Sequence, residues 1–191
     1  IDYVCVADDI SRPVNDLFNE MYTDLLNKGY EIFLSTPDCF TIRAKLGKET
    51  SDFVLARKEI GYIDGTRKPI LVAGTLYDDL VRRDFTVNAI AEDDEGNYMD
   101  YFGGIKDIKN GILRTPISTK ITFNEDPLRI LRAIRFSITK GFKMNDEIIE
   151  VIHFFDYESK FKVVSTERIR EELTKCFKAD TLTTLKILSI F

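Results

Sequence analysis

RRDFTVNAIA, residues 82–91, and EDPLRILRAIRF, residues 125–136, are the two stretches on which the reading of this chain turns. The first sets two adjacent guanidiniums and a carboxylate ahead of a short apolar run. The second opens with paired acids and Pro127, then spaces Arg129, Arg132 and Arg135 along one stripe, opposite Leu128, Leu131 and Ile134. That pattern predicts a helix over residues 125–140 that packs on one side and carries cations on the other.

Toward the start of the chain, residues 76–91 read as mostly helical, though Thr86, Val87 and Ile90 make the segment a weak helix former. Residues 62–72 read as a loop in which Tyr62, Asp64, Gly65 and Arg67 are polar or flexible, a lid or merely a loop. Residues 1–6, 30–34, 40–46 and 52–56 read as strands rich in β-branched and aromatic residues. Between the first two, Val14, Leu17, Phe18, Met21 and Leu25 follow helical spacing and Gly29 is a natural stop. Past the first motif come a short strand at 98–102, a turn at Gly103-Gly104 and a strand at 112–115. Residues 145–155, 166–178 and 181–191 then read as helices. The expectation is an α+β first part, residues 1–118, followed by an all-helical part, residues 119–191. The last helix ends the chain on an apolar side, which suggests that more protein follows.

Composition narrows the function. The chain has 191 residues, 44% of them hydrophobic, and a net charge of −5. The charge is uneven. Residues 1–102 hold 11 Lys+Arg against 20 Asp+Glu, whereas residues 103–143 hold 9 against 3. An acidic chain with one basic segment fits a focused site for a polyanion rather than a surface that binds nucleic acid everywhere. There is no apolar run long enough to span a membrane and no basic, then apolar, leader pattern. Cys5, Cys39 and Cys176 are scattered, and His153 is the only histidine, so no zinc spacing exists. Reduced thiols in a cytoplasmic compartment are expected.

Individual residues carry two readings each. Asp2 and Asp52 stand at strand starts, either simply in water or as oxygen ligands for a hard cation. Asp84 is either the N-cap of a helix or a ligand contact. Arg83, just outside that cap, has a better use on a phosphate or sugar. Asn88, one turn on, can hydrogen-bond a ribose or tie down the loop. Asp126 suits an N-cap with Pro127 at the first helical position. Capping does not explain Arg129, Arg132 and Arg135. Asp126 and Arg129 share a helix face and can meet one ligand edge, the acid accepting from an exocyclic amine and the guanidinium donating to the neighbouring ring acceptor. Cytosine and adenine present that order; uracil and guanine reverse it. Together the motifs look built for a nucleoside triphosphate.

These residues carry a resemblance. SDFVLARKEIGY (51–62), LYDDLVRRDFTVNAIA (76–91), DYFGGIKDIKNGILRT (100–115), EDPLRILRAIRF and STERIREEL (165–173) resemble, in order, the motifs of class II tRNA nucleotidyltransferases. That group contains CCA-adding enzymes and bacterial poly(A) polymerases. The resemblance implies a mixed-sheet nucleotidyltransferase head with five strands, a helical neck, and body and tail domains for which residues after Phe191 would be needed. It implies a two-metal transfer of CMP or AMP from CTP or ATP to the 3′ end of tRNA or another RNA, with Mg2+ as cofactor. Poly(A) polymerase activity and a non-catalytic nucleotide- or RNA-binding module are the alternatives.

Carried over, Asp2 resembles the second carboxylate of an Asp-x-Asp metal site and Asp52 a third acid facing the metals. Arg83 and Asp84 resemble the nucleotide- and sugar-contacting pair. Asp126 and Arg129 resemble the protein template for the base, and Arg132 and Arg135 further nucleotide contacts on the same helix. The first aspartate and a glycine turn would precede Ile1. As it stands the chain is therefore expected to lack part of its metal site.

Overall fold

The computed structural model describes residues 1–62 and 69–189; Asp64, Gly65 and Arg67 of the polar loop lie outside the described residues. Packing divides the chain into two compact units, Ile1–Leu80 and Val81–Phe191. The expected change from mixed to helical structure after residue 118 lies inside the second unit.

In the first unit, β1 (Asp2–Cys5) is followed by α1 (Val14–Asn27), β2 (Glu31–Thr36), β3 (Thr41–Leu46) and β4 (Glu49–Leu55). A hairpin of β5 (Arg57–Tyr62) and β6 (Pro69–Ala73) and the short α2 (Leu76–Val81) complete it. The main sheet has four described strands in the order β1-β4-β3-β2, with β1 parallel to β4 and the other pairs antiparallel, so it is mixed. Strand alternation decides its two faces. Ser51, Phe53 and Leu55 of β4 and Ile42 and Ala44 of β3 turn inward, where Leu17, Phe18 and Leu25 of α1 cover them. The residues between them in β3 and β4, Arg43 and Asp52 among them, belong to the opposite face.

The loop read over 62–72 is corrected in part, because β6 begins at Pro69. Proline is tolerated there as the first residue of a strand, where its missing N–H costs least.

The second unit contains β7 (Ala91–Glu92), β8 (Tyr98–Met99), α3 (Gly104–Asn110), β9 (Ile112–Leu113), α4 (Thr119–Glu125), α5 (Leu128–Lys140), β10 (Lys143–Met144), α6 (Asp146–His153), α7 (Tyr157–Lys160), α8 (Thr166–Ala179) and α9 (Thr181–Leu188). Its core joins Phe85 and Leu113 to Phe123, Leu128, Ile130, Leu131, Ile134, Ile148, Ile152 and Cys176. Helices α4, α5, α6 and α8 thus share their core with Phe85 of the first motif and with Leu113 of β9.

Three sequence expectations change here. The helix over 76–91 stops at Val81 and gives way to a 3-10 turn at Thr86–Asn88. Phe85 is extended (φ −135°, ψ 152°), fully buried, and followed by a Thr86 amide that donates to the Arg114 carbonyl. Burial of that ring outweighs a helix propensity that was already weak. The helix over 125–140 begins only at Leu128, as α5; Glu125 instead ends α4, and the two part at Asp126, whose extended backbone (φ −137°, ψ 99°) precedes Pro127 as sterics demand. Finally, α3 occupies residues read only as a glycine turn. Asp100 makes it possible, accepting from the amides of Gly104 and Ile105 at 2.7 and 2.9 Å and so capping a helix of poor intrinsic propensity.

Candidate functional site

Two groups of side chains merit description, one in each unit. On the sheet, register places Asp2 of β1 beside Asp52 of β4, and Asp52 beside Arg43 of β3. Arg43 donates from Nε to Asp52 Oδ1 at 2.5 Å and from Nη2 to Oδ2 at 2.7 Å. Chiefly through these bonds, the Arg43 guanidinium holds the Asp52 carboxyl below the usual carboxylate range, so it is an anion at neutral pH. Asp2 is exposed. Among the described residues, no group of three or more His, Cys, Asp or Glu side chains is placed to hold a metal. What exists is a pair of neighbouring carboxylates. That donor set fits magnesium, which commonly takes one or two carboxylates plus water and substrate phosphate.

In the second unit the first motif is a buried turn. The Asp84 carboxylate accepts from its neighbour's amide, Phe85 N, and from Asn88 Nδ2, both at 2.9 Å through Oδ1. Its Oδ2 receives Arg132 of α5, at 2.7 Å from Nε and 2.6 Å from Nη2. Asn88 therefore ties down the turn, one of the two uses expected of it. Asp84 caps no α-helix. Arg83 is half-buried on this turn.

Asp126 is the second residue of the second motif. Its Oδ1 accepts from the Leu128 amide at 3.2 Å, a capping bond, and its Oδ2 from Arg168 of α8 at 2.9 Å. Arg129 reaches back to the first motif, donating from Nη2 to the Arg82 carbonyl at 2.6 Å and from Nη1 to the Thr122 carbonyl at 3.2 Å and Glu125 at 3.3 Å. The motifs RRD and EDPLRILR thus meet through Arg129 and Arg132. Arg135 points elsewhere: its Nε lies 2.5 Å from Glu172 Oε2 on α8, and its guanidinium sits 4.4 Å from the centre of the Phe136 ring.

The segment from Asp100 to Thr115 supports this turn. Thr86 Oγ1 donates to Asp107 Oδ2 at 2.6 Å, and Arg114 binds the same oxygen and the Phe102 carbonyl. Gly104 comes so close that a Cβ there would stand 2.1 Å from the Thr86 carbonyl oxygen. Gly104→Ala is expected to destabilise the protein by about 3 kcal/mol, since backbone faces backbone and neither can yield. A urea midpoint matching the native protein would show that the approach is not tight.

A model of the poly A polymerase head domain matches residues 8–114 of the chain. The chain belongs to this family. Over 136 residues it is 38% identical to a CCA-adding enzyme of Lactobacillus helveticus, covering 71% of this chain and 34% of that enzyme. A CCA-adding enzyme of Buchnera aphidicola is 41% identical over 109 residues, 56% of this chain and 25% of that one. The chain therefore spans about a third or less of the curated relatives it matches. Among solved structures, the apo form II of a CCA-adding enzyme superposes with a TM-score of 0.76 at 28% identity, covering 99% of this chain and 43% of that one. The Bacillus stearothermophilus CCA-adding enzyme in complex with CTP gives 0.70 at 25% identity, over 88% of this chain and 43% of that one.

In this poly A polymerase head-domain protein, several residues that partner the site were not singled out from sequence: Arg43, Asp100, Asp107, Glu172 and Arg168. One of them was readable. Gly47-Lys48 is a two-residue hairpin turn with Gly47 at φ 61°, pairing Leu46 with Glu49, and counting back along both strands sets Arg43 opposite Asp52.

Proposed function

We propose that the protein is a template-independent RNA nucleotidyltransferase that adds CMP or AMP, from CTP or ATP, to the 3′ end of tRNA. Asp126 and Arg129 carry this reading. Each is held by the protein yet keeps hydrogen-bonding capacity. A carboxylate has about four acceptor positions and a guanidinium five N–H donors, more than the bonds described for Asp126 and Arg129 use. An acid and an arginine fixed on one helical turn can together read the amino-and-acceptor edge that cytosine and adenine share.

In this reading Asp2 and Asp52 hold Mg2+. Bound there, the metal supplies activation of the RNA hydroxyl and neutralisation of triphosphate charge. The chain's own residues do the rest. Arg83 takes a phosphate or the sugar, and Asp84 with Asn88 fixes the turn that carries Arg83. Arg132 keeps the Asp84 carboxylate oriented, and Arg129 ties that turn to the base-reading helix. The relatives named CCA-adding enzyme support the substrate assignment. All three cysteines are free thiols, which agrees with a reducing, cytoplasm-like compartment. No helix among the described residues is long and apolar enough to cross a membrane.

Arg129→Ala in the full-length protein is expected to reduce the preference for CTP over UTP about ten- to a hundredfold, the worth of one lost bidentate base contact. Binding of the metal should fall much less. Single-nucleotide incorporation measures this, and unchanged selectivity removes the protein-template reading. The matching family model, a poly A polymerase head domain, favours one second reading: repeated addition of adenylate to varied RNA ends. Primer extension with ATP alone, CTP alone and both separates the two.

A further inference from the structure

The sheet face that carries Asp2 and Asp52 also carries a cation, and that cation is already bound to one of the acids. Arg43 engages both oxygens of Asp52 in a fork at 2.5 and 2.7 Å. The strand register makes this a built arrangement rather than a chance meeting of long side chains. Arg43 is directly opposite Asp52 across β3–β4, and Asp2 is directly opposite it across β1–β4. Asp52 therefore has a guanidinium on one flank and a second carboxylate on the other. The side chains of Arg43 and Asp52 are 46% and 25% exposed, so the fork can open into water without disturbing the core.

A bidentate guanidinium and a divalent cation compete for the same outward edge of a carboxylate, and two positive groups on one acid repel. We infer that Arg43 is a positioning residue acting as the resident counter-ion of Asp52: it fixes the carboxylate while no metal is bound and must yield it when a divalent cation arrives. It thereby weakens metal binding by the free protein. The inference rests on the reading of Asp52 as a metal ligand. Only a modest effect follows, because a partly exposed ion pair is a weak competitor.

The test is Mn2+ binding to the full-length protein without nucleotide, followed by the electron paramagnetic resonance of free Mn2+. Arg43→Gln is expected to bind Mn2+ about three- to tenfold more tightly than the native protein, with Arg43→Lys between them. A merely structural ion pair would leave affinity unchanged or lower it when broken. Equal or weaker binding by Arg43→Gln, with a native melting curve, overturns the inference. Should Arg43→Gln melt early, Arg43→Lys decides, since it keeps the charge but loses the fork, and binding no tighter than native is then the overturning result. Asp52→Asn is run beside them. Loss of the Mn2+ site in Asp52→Asn while Arg43→Gln shows no change sinks the counter-ion role alone. An intact Mn2+ site in Asp52→Asn sinks the metal reading and the counter-ion role together.

Discussion

Asp52→Ala is expected to slow nucleotide incorporation by about a thousandfold, the several kcal/mol that a correctly held metal supplies. Melting should stay close to that of the native protein. Both halves of the result follow from where β4 puts the residue. Alternation sends Ser51, Phe53 and Leu55 into the core and leaves Asp52 on the other face, so removing its carboxylate opens no cavity. The ion pair to Arg43 is partly exposed and contributes little to stability. A residue that costs the fold almost nothing to lose, yet stands beside Asp2 in register, has its consequences in chemistry. Single-turnover incorporation and a thermal melt on the same preparation decide the matter. A rate within a few-fold of native would make Asp52 a strand residue with an ion pair and nothing more.

Glu172→Ala is expected to do the reverse, destabilising the second unit by about 3 kcal/mol through loss of the partner of a nearly buried arginine. The side chains of Glu172 and Arg135 are 6% and 16% exposed, and Glu172 also lies 3.4 Å from Lys175. The pair joins α5 to α8. With Glu172 gone, the guanidinium keeps its contact with the Phe136 ring but loses the carboxylate that neutralises it. A melting temperature lowered by roughly 6–12 °C is the expected size for that loss in a chain of this length. The double substitution Arg135→Met with Glu172→Leu should recover much of it, because apolar groups of similar volume often replace a buried pair at no cost. If Glu172→Ala melts within a degree or two of the native protein, the pair does not hold the helices together. Triphosphate binding by the double variant then separates the two roles of Arg135. Native affinity would make it a structural residue, and weakened affinity would keep it among the nucleotide contacts.

The sequence was readable where a local pattern and a tertiary preference agreed. Leu17, Phe18 and Leu25 repeat at helical spacing and pack as α1, and Ile42 and Ala44 alternate with exposed residues and pack as β3. The same holds for Leu128, Leu131 and Ile134 of α5. It was misread where burial of one side chain overrode a local pattern. Phe85 and Thr86 are buried completely, and seating them breaks the helix that residues 76–91 spell out. Asp100 was taken for part of a strand because its service as a cap is given to amides further along the chain.

By itself, then, the order of residues determined the class of fold, the family and the set of charged side chains to watch, because these depend on periodicity and on motifs contiguous in the chain. Which charge meets which was decided only by the tertiary structure. Arg132 meets Asp84, Arg168 meets Asp126 and Arg135 meets Glu172 across separations of 48, 42 and 37 residues. A guanidinium has no preference in sequence for one carboxylate over another. Its partner is chosen when helices pack and both groups lose water together, and only then does it become clear which arginines orient the site and which hold it up.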